Sequence, residues 1–288
     1  MQKTGVYFHN LFNKKVWDII NNKFQNFPKK IKEQLNLANV ELYTPPLIDE
    51  KTLLKVHTHE YFWTLRRRWD YEGARRTVGG CVEAARRIME GRLHNALCFG
   101  VAAGHHAESA SAWGGTYASV IGPIMVNLEE LYGADVRIAV LDTDSHHGNG
   151  TREVTYGHRN VLHVCFCSND HIEDNGTKIC VDSGRATTDD AYLAKMKSEF
   201  VPRVDNFKPE IIVHLLGHDT AEGDYGSRGL SQEFFLNLVR IVKQTAERVC
   251  KGHYLINTHG GYNLEVCEYI HPKIIEILAC SEKEKNSF

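Results

Sequence analysis

Asp142, Asp144 and His146 stand at alternate positions where the apolar run 136–141 ends, and Gly148-Asn149-Gly150 turns the chain just beyond them. In an extended chain residues two apart share a face, so two carboxylates and an imidazole point into one space. Buried without partners, such groups are costly. A divalent cation would remove that cost, and an Asp/His donor set suits zinc. A capped turn with solvated acids would use the same residue types. Against that reading, three more polar clusters close apolar runs in the same way. His105-His106 follows 96–101, Gly217-His218-Asp219 follows 210–216, and His259-Gly260-Gly261-Tyr262 follows 254–258.

The elements that would carry these clusters alternate along the chain. Apolar, β-branched runs predict strands at 5–8, 40–43, 96–101, 136–142, 161–167, 210–216 and 254–258. Helical patterning predicts helices at 49–57, 74–91, 116–132, 190–204, 231–250 and 265–280, with Ser231 suited to an N-terminus. Gly79-Gly80 within 74–91 would let a neighbouring segment come close. An Asn-rich, basic stretch with Trp17, Ile19, Ile20 and Phe24 reads as a surface helix with a solvated Lys face. The alternation predicts an α/β fold of three α/β/α layers around a mainly parallel sheet. One domain over 1–288 is expected, without linker or internal repeat. Ligands of such sheets bind beyond the carboxyl ends of the strands, where all four clusters lie. Together they predict one site.

Composition narrows the partners. Hydrophobic residues make up 42% and charged residues 24%, and the formal net charge is −2, which gives no reason to expect direct nucleic-acid binding. The eight cysteines are scattered without a Cys-x-x-Cys pair, so buried free thiols are expected rather than disulfides. Cys165-Phe166-Cys167 places two thiols on one strand face, too weak a signal alone for a second metal site. No signal-like segment or long apolar span occurs, which predicts a cytoplasmic protein without a membrane partner.

The motif set resembles the zinc-dependent histone deacetylase family, with its arginase-deacetylase fold. Gly104-His105-His106-Ala107, the stretch from Asp142 to Thr151, Gly217-His218-Asp219 with Gly223-Asp224, and Gly260-Gly261-Tyr262-Asn263 carry the likeness in order and spacing. His57 to Tyr61 and Gly79-Gly80 extend it upstream, so it covers roughly residues 40 to 280. A ureohydrolase of this fold would show Asp-Ala-His-x-Asp and a second carboxylate-rich motif for two manganese ions, and neither occurs.

The resemblance implies one Zn2+ per chain, held by Asp144, His146 and Asp219. It puts His105 and His106 beside the reactive water, with Asp142 holding His105 and Asn149 beside His106. An acid against His105 favours imidazolium, while a neutral amide leaves His106 free as a base. Tyr262 would donate to the developing oxyanion. The implied activity is hydrolysis of an acylated amine or acyl-lysine, acetyl first among the acyl groups. A non-catalytic metal- or partner-binding relative, and a metal hydrolase acting on another carbonyl, are the alternatives.

The chain departs from the family where substrates are chosen. Gly115, in Trp113-Gly114-Gly115-Thr116-Tyr117, replaces a tunnel Phe, and Trp113 is expected to rebuild part of that wall. The polar run 168–176 replaces a second aromatic and is expected to form a solvated loop that brings Asp170, Glu173 and Asp174 to the mouth, with Asp70 and Glu72 opposite. Those acids would favour a cationic substrate, and the more open pocket is expected to take either a small cationic amine or a bulkier acyl group. Asp70 matches a rim acid that grips the substrate backbone. Cys165-Phe166-Cys167 stands in place of a Ser-x-His, which leaves the family's structural monovalent cation open.

Overall fold

Nine strands among the described residues join into one sheet, and its order decides where the site falls. The computed structural model describes residues 2–13 and 22–280. Trp17, Ile19 and Ile20 of the basic stretch lie outside the described residues. The strands are β1 (Thr4–Tyr7), β2 (Val40–Tyr43), β3 (Asn95–Cys98), β4 (Ile138–Asp142), β5 (Val161–Cys167), β6 (His171–Glu173), β7 (Lys178–Asp182), β8 (Ile211–Leu216) and β9 (Tyr254–Thr258). Their order is β2-β1-β3-β9-β8-β4-β5-β7-β6, and every neighbouring pair is parallel except β6 with β7. The four strands that precede the four polar clusters, β3, β9, β8 and β4, are therefore adjacent.

The helices are α1 (Glu50–Leu54), α2 (His59–Arg66), α3 (Tyr71–Met89), α4 (Ile121–Tyr132), α5 (Asn149–Val154), α6 (Asp189–Glu199), α7 (Val201–Phe207), α8 (Gln232–Cys250) and α9 (Leu264–Ala279). Alternate strand residues feed two separate cores. Ala139 and Leu141 of β4 pack with α6, α7, α8 and α9, while Ile138 and Val140 pack with α1, α2, α3 and α4. This is the three-layer arrangement expected, and both sheet faces being covered explains why the strands read as continuous apolar runs. A Cβ on Gly79 of α3 would stand 2.1 Å from the Pro46 carbonyl oxygen, so the close approach is real. Ser231 caps α8 by accepting the Phe234 N–H at 3.2 Å, a contact worth about 1 kcal/mol.

Three expectations change. The segment 116–120 is not helical: Tyr117 N–H donates to the Ala102 carbonyl and Gly104 N–H to that of Ala118, which holds it against the loop after β3. The single helix expected over 190–204 is α6 followed by α7, because Pro202 lacks the N–H that would continue the ladder and opens a new first turn instead. The run 168–176 is not all loop, since β6 folds back antiparallel on β7. All eight thiols are free and only Cys280 is exposed. No described helix is long and apolar enough to cross a membrane.

Candidate active site

The loops after β4, β8 and β9 close on Asp144. A Cβ on Gly217 would lie 2.8 Å from Asp144 Cα, and one on Gly260 would lie 2.1 Å from Asp144 Oδ2, so only glycine admits this approach. His146 Nδ1 stands 2.9 Å from Asp144 Oδ1 and 3.2 Å from Asp219 Oδ2. Asp144, His146 and Asp219 each bring a donor atom within 4.8 Å of the others. Both carboxylates are buried, and the imidazole opens to solvent. Ser145 fixes Asp219 through its N–H and its hydroxyl.

Electrostatics show what this space favours. Burial, reinforced by the charge of Asp144, pushes Asp219 up to about 6. Hydrogen bonds to Asp144 and Asp219 drive His146 up to about 10. Two acids that repel each other and draw a proton onto a nearby imidazole form a place for positive charge. Two carboxylates and one imidazole, with a side open to solvent, fit a divalent ion such as zinc in a site that keeps positions for water and substrate.

Two histidines stand beside the triad in different states. His105 Nδ1 lies 2.8 Å from Asp142 Oδ2, and His106 Nδ1 lies 2.7 Å from Asn149 Oδ1. Burial opposes charge on His105, but Asp142 and Asp144 outweigh it and hold the imidazole at about 8. Burial and the charge of His105 take His106 down to about 4. Near neutral pH His105 is an imidazolium and His106 is neutral. With its Nδ1–H given to Asn149, the basic nitrogen of His106 is Nε2, which accepts from Nε2–H of the His105 imidazolium at 3.0 Å. Burial alone would raise Asp142, yet His105 holds its carboxyl well below the usual range.

Above these groups lies a cavity of about 360 Å³, lined by Phe12, Lys23, Phe24, Trp113, Gly115 and Tyr225 together with His105, His106, Asp144 and His146. Trp113 stacks on His106 with ring centroids 3.6 Å apart, so it does rebuild a wall. Gly115, at φ +78°, lines the cavity beside it. Lys23 is buried, donates to the His259 carbonyl, and has its pKa lowered by that burial. Nothing in the sequence around Lys23 marked it as a cavity residue.

Tyr262 is displaced from its expected post. Its hydroxyl donates to the Gly223 carbonyl at 3.1 Å, and it is not among the residues lining the cavity. Asp224 accepts the N–H groups of Tyr262 and Asn263 at 3.0 and 2.9 Å, which sets the backbone there. The hydroxyl that faces the triad belongs to Tyr225, whose ring stacks on that of Tyr262 at 5.9 Å. Tyr225 Oη accepts the Gly261 N–H at 2.9 Å, which leaves its own proton free. A Cβ on Gly260 would lie 3.0 Å from this hydroxyl and 2.1 Å from Asp144 Oδ2, so both oxygens border one small space. The sequence signal for Tyr225 was its place in Gly223-Asp224-Tyr225-Gly226, just past Asp219.

The acids expected at the mouth are elsewhere. Asp70 is buried and gives both oxygens to Arg68 at 2.8 Å, so it is no free rim acid. Glu72 pairs with Arg76. Because β6 runs back along β7, Glu173 and Asp174 are carried toward the amino edge of the sheet, where they pair with Arg152 and Lys178. Asp170 accepts the Asp182 N–H at 2.8 Å, beside the end of β7.

Residues 19–278 match the family profile described as histone deacetylase domain. A histone deacetylase-like amidohydrolase of Pseudomonas aeruginosa is 27% identical over 272 residues, covering 84% of this chain and 71% of the relative. A probable deacetylase of Archaeoglobus fulgidus is 28% identical over 208 residues, covering 68% and 57%. Histone deacetylase HDA1 of Saccharomyces cerevisiae is 28% identical over 215 residues, covering 68% of this chain but 30% of that protein. The crystal structure of the HDA15 HD domain superposes with a TM-score of 0.83 at 19% identity, over 96% of this chain and 89% of the other, which shows the shared fold.

Proposed function

Since the chain belongs to the histone deacetylase family, we propose that it hydrolyses the amide bond of an acylated amine, releasing the acid and the free amine, at a zinc ion held by Asp144, His146 and Asp219. The observation that carries this reading is the meeting of that triad with the His105–Asp142 and His106–Asn149 pairs under one cavity. Zinc bound there would lower the pKa of water and polarise the amide carbonyl. His106, neutral and with Nε2 as its basic atom, exchanges its contact with His105 for the attacking water and takes a proton from it. His105, kept charged by Asp142, stabilises negative charge beside it. The stacked tyrosines supply the oxyanion donor. Tyr225 already presents its hydroxyl to the cavity, whereas Tyr262 must first release the Gly223 carbonyl. Return of a proton to the leaving nitrogen completes hydrolysis.

The walls suggest the acyl side of the substrate. Phe12, Phe24 and Trp113 line a cavity of about 360 Å³ and Gly115 adds no side chain to it, so acyl groups longer than acetyl fit this reading. The cationic-amine reading loses the support of Glu173 and Asp174. The test is a panel of acetyl-lysine peptide, longer acyl-lysine peptides and an acetylated polyamine, compared by kcat/KM. The expected result is turnover of the lysine substrates, with longer chains accepted. Turnover of none by the zinc-loaded protein would overturn the hydrolase reading.

A further inference from the structure

Away from the cavity, β5 and β7 have two unlike faces. On one they bury Leu162, Val164, Phe166, Ile179 and Val181 against α6, α7 and α8. On the other they carry Cys165, Cys167 and Cys180, and Cys165 is the direct register partner of Cys180. These three thiols form a buried cluster of their own, joined to neither main core. His147 reaches them from the loop after β4, with Nδ1 3.2 Å from Cys180 Sγ and 3.9 Å from Cys167 Sγ. His147, Cys165 and Cys167 bring donor atoms within 4.8 Å of one another.

We propose that Cys165, Cys167, Cys180 and His147 form a second, structural zinc site, separate from the Asp144–His146–Asp219 triad. Three thiolates and one imidazole make a complete tetrahedral donor set, as closed structural sites require. Bonds of about 2.0–2.3 Å place neighbouring donors about 3.3–3.8 Å apart, close to the separations at His147. Sulfur selects zinc over the alkali cations, which prefer oxygen, so this face is suited to zinc rather than to a monovalent ion. Charge supports the same assignment. Zinc with three thiolates and a neutral imidazole carries one net negative charge, and Arg152 Nη2 stands 2.9 Å from Cys180 Sγ to balance it. His147 is exposed while the sulfurs are buried, so the ion enters at His147 and each thiol releases its proton to solvent on binding. Cys165 Sγ also accepts the Gly148 N–H at 3.4 Å. The metal therefore braces the loop that carries both His146 and Asn149.

The test uses the full chain and needs no turnover. Zinc is counted by elemental analysis, then replaced by Co2+, which gives thiolate-to-cobalt charge-transfer absorption only where sulfur is a ligand. The double variant Asp144→Ala/Asp219→Ala is expected to keep one metal per chain and the full band. Cys167→Ser and Cys180→Ser are each expected to lose the band. Wild-type protein provides a readout free of folding effects: the three thiols should resist a thiol reagent until a chelator is added. A metal-free double variant without the band, thiol reactivity indifferent to chelator, or a disulfide among the three by mass would each overturn the site.

Discussion

On the cavity floor, His105, His106, Asp144, His146 and Asp219 follow the ends of β3, β4 and β8, and second side chains hold most of them. Asp142 holds His105, Asn149 holds His106, and Ser145 holds Asp219. On the walls, Phe12, Lys23, Trp113 and Tyr225 come from four separate loops, and Trp113 and Tyr225 are 52% and 43% exposed. The floor is pre-organised, as stabilising charge in a reaction requires. The walls are assembled from separate segments and reach the floor at two points, Trp113 on His106 and the Tyr225 hydroxyl beside Asp144. On the proposed function, chemistry rests on the floor and Tyr225, and selectivity on the remaining walls.

That separation can be broken by substitution. His106→Ala removes the base and should lower kcat by about 100- to 10,000-fold, and His105→Ala should cost less. Steady-state kinetics on metal-loaded protein checks the order, and the reverse order would exchange the two roles. Replacing both Tyr225 and Tyr262 by Phe should cost about 100-fold, near 2.7 kcal/mol, with metal retained. Tyr225→Phe should account for the larger part. Equality of Tyr225→Phe with wild type would move the donor to Tyr262.

Finer changes sharpen the contrast through pH. If His105 works charged, as proposed, its limb of the kcat/KM profile falls as pH rises through about 8; if His106 works neutral, its limb falls as pH drops through about 4. Asp142→Asn removes the charge that raises His105 and should move the alkaline limb to lower pH. Asn149→Asp adds charge beside His106 and should move the acid limb to higher pH. Unmoved limbs would separate these pairs from turnover. The smallest effect belongs to the wall: Trp113→Ala should change the preference between acetyl and longer acyl groups by about tenfold or less, roughly 1.4 kcal/mol.

The same contrast explains what the sequence reveals. The floor is legible because strand-end spacing is local: alternation alone groups Asp142, Asp144 and His146, and parallel strand ends bring in Asp219 and His105. The walls are not, because Phe12, Lys23 and Tyr225 are distant in sequence and meet only through loop paths. Asp70 looked available until Arg68, two residues away, took both its oxygens. The run 168–176 looked like a solvated loop because a three-residue edge strand with exposed side chains leaves little apolar pattern. Cys165 and Cys167 gained meaning only when register set Cys180 beside them and the loop after β4 delivered His147.

The central claim is that a metal held by Asp144, His146 and Asp219 performs amide hydrolysis. Acetate release from an acetyl-lysine peptide tests it most directly, measured on wild-type and Asp219→Ala protein before chelation, after chelation and after Zn2+ is returned. Loss of a buried ligand leaves charge uncompensated, so Asp219→Ala should bind no metal at the triad. The account predicts that wild-type release stops on metal removal and returns with Zn2+, while Asp219→Ala stays inactive throughout. Undiminished release from metal-stripped protein, or from Asp219→Ala, would contradict it.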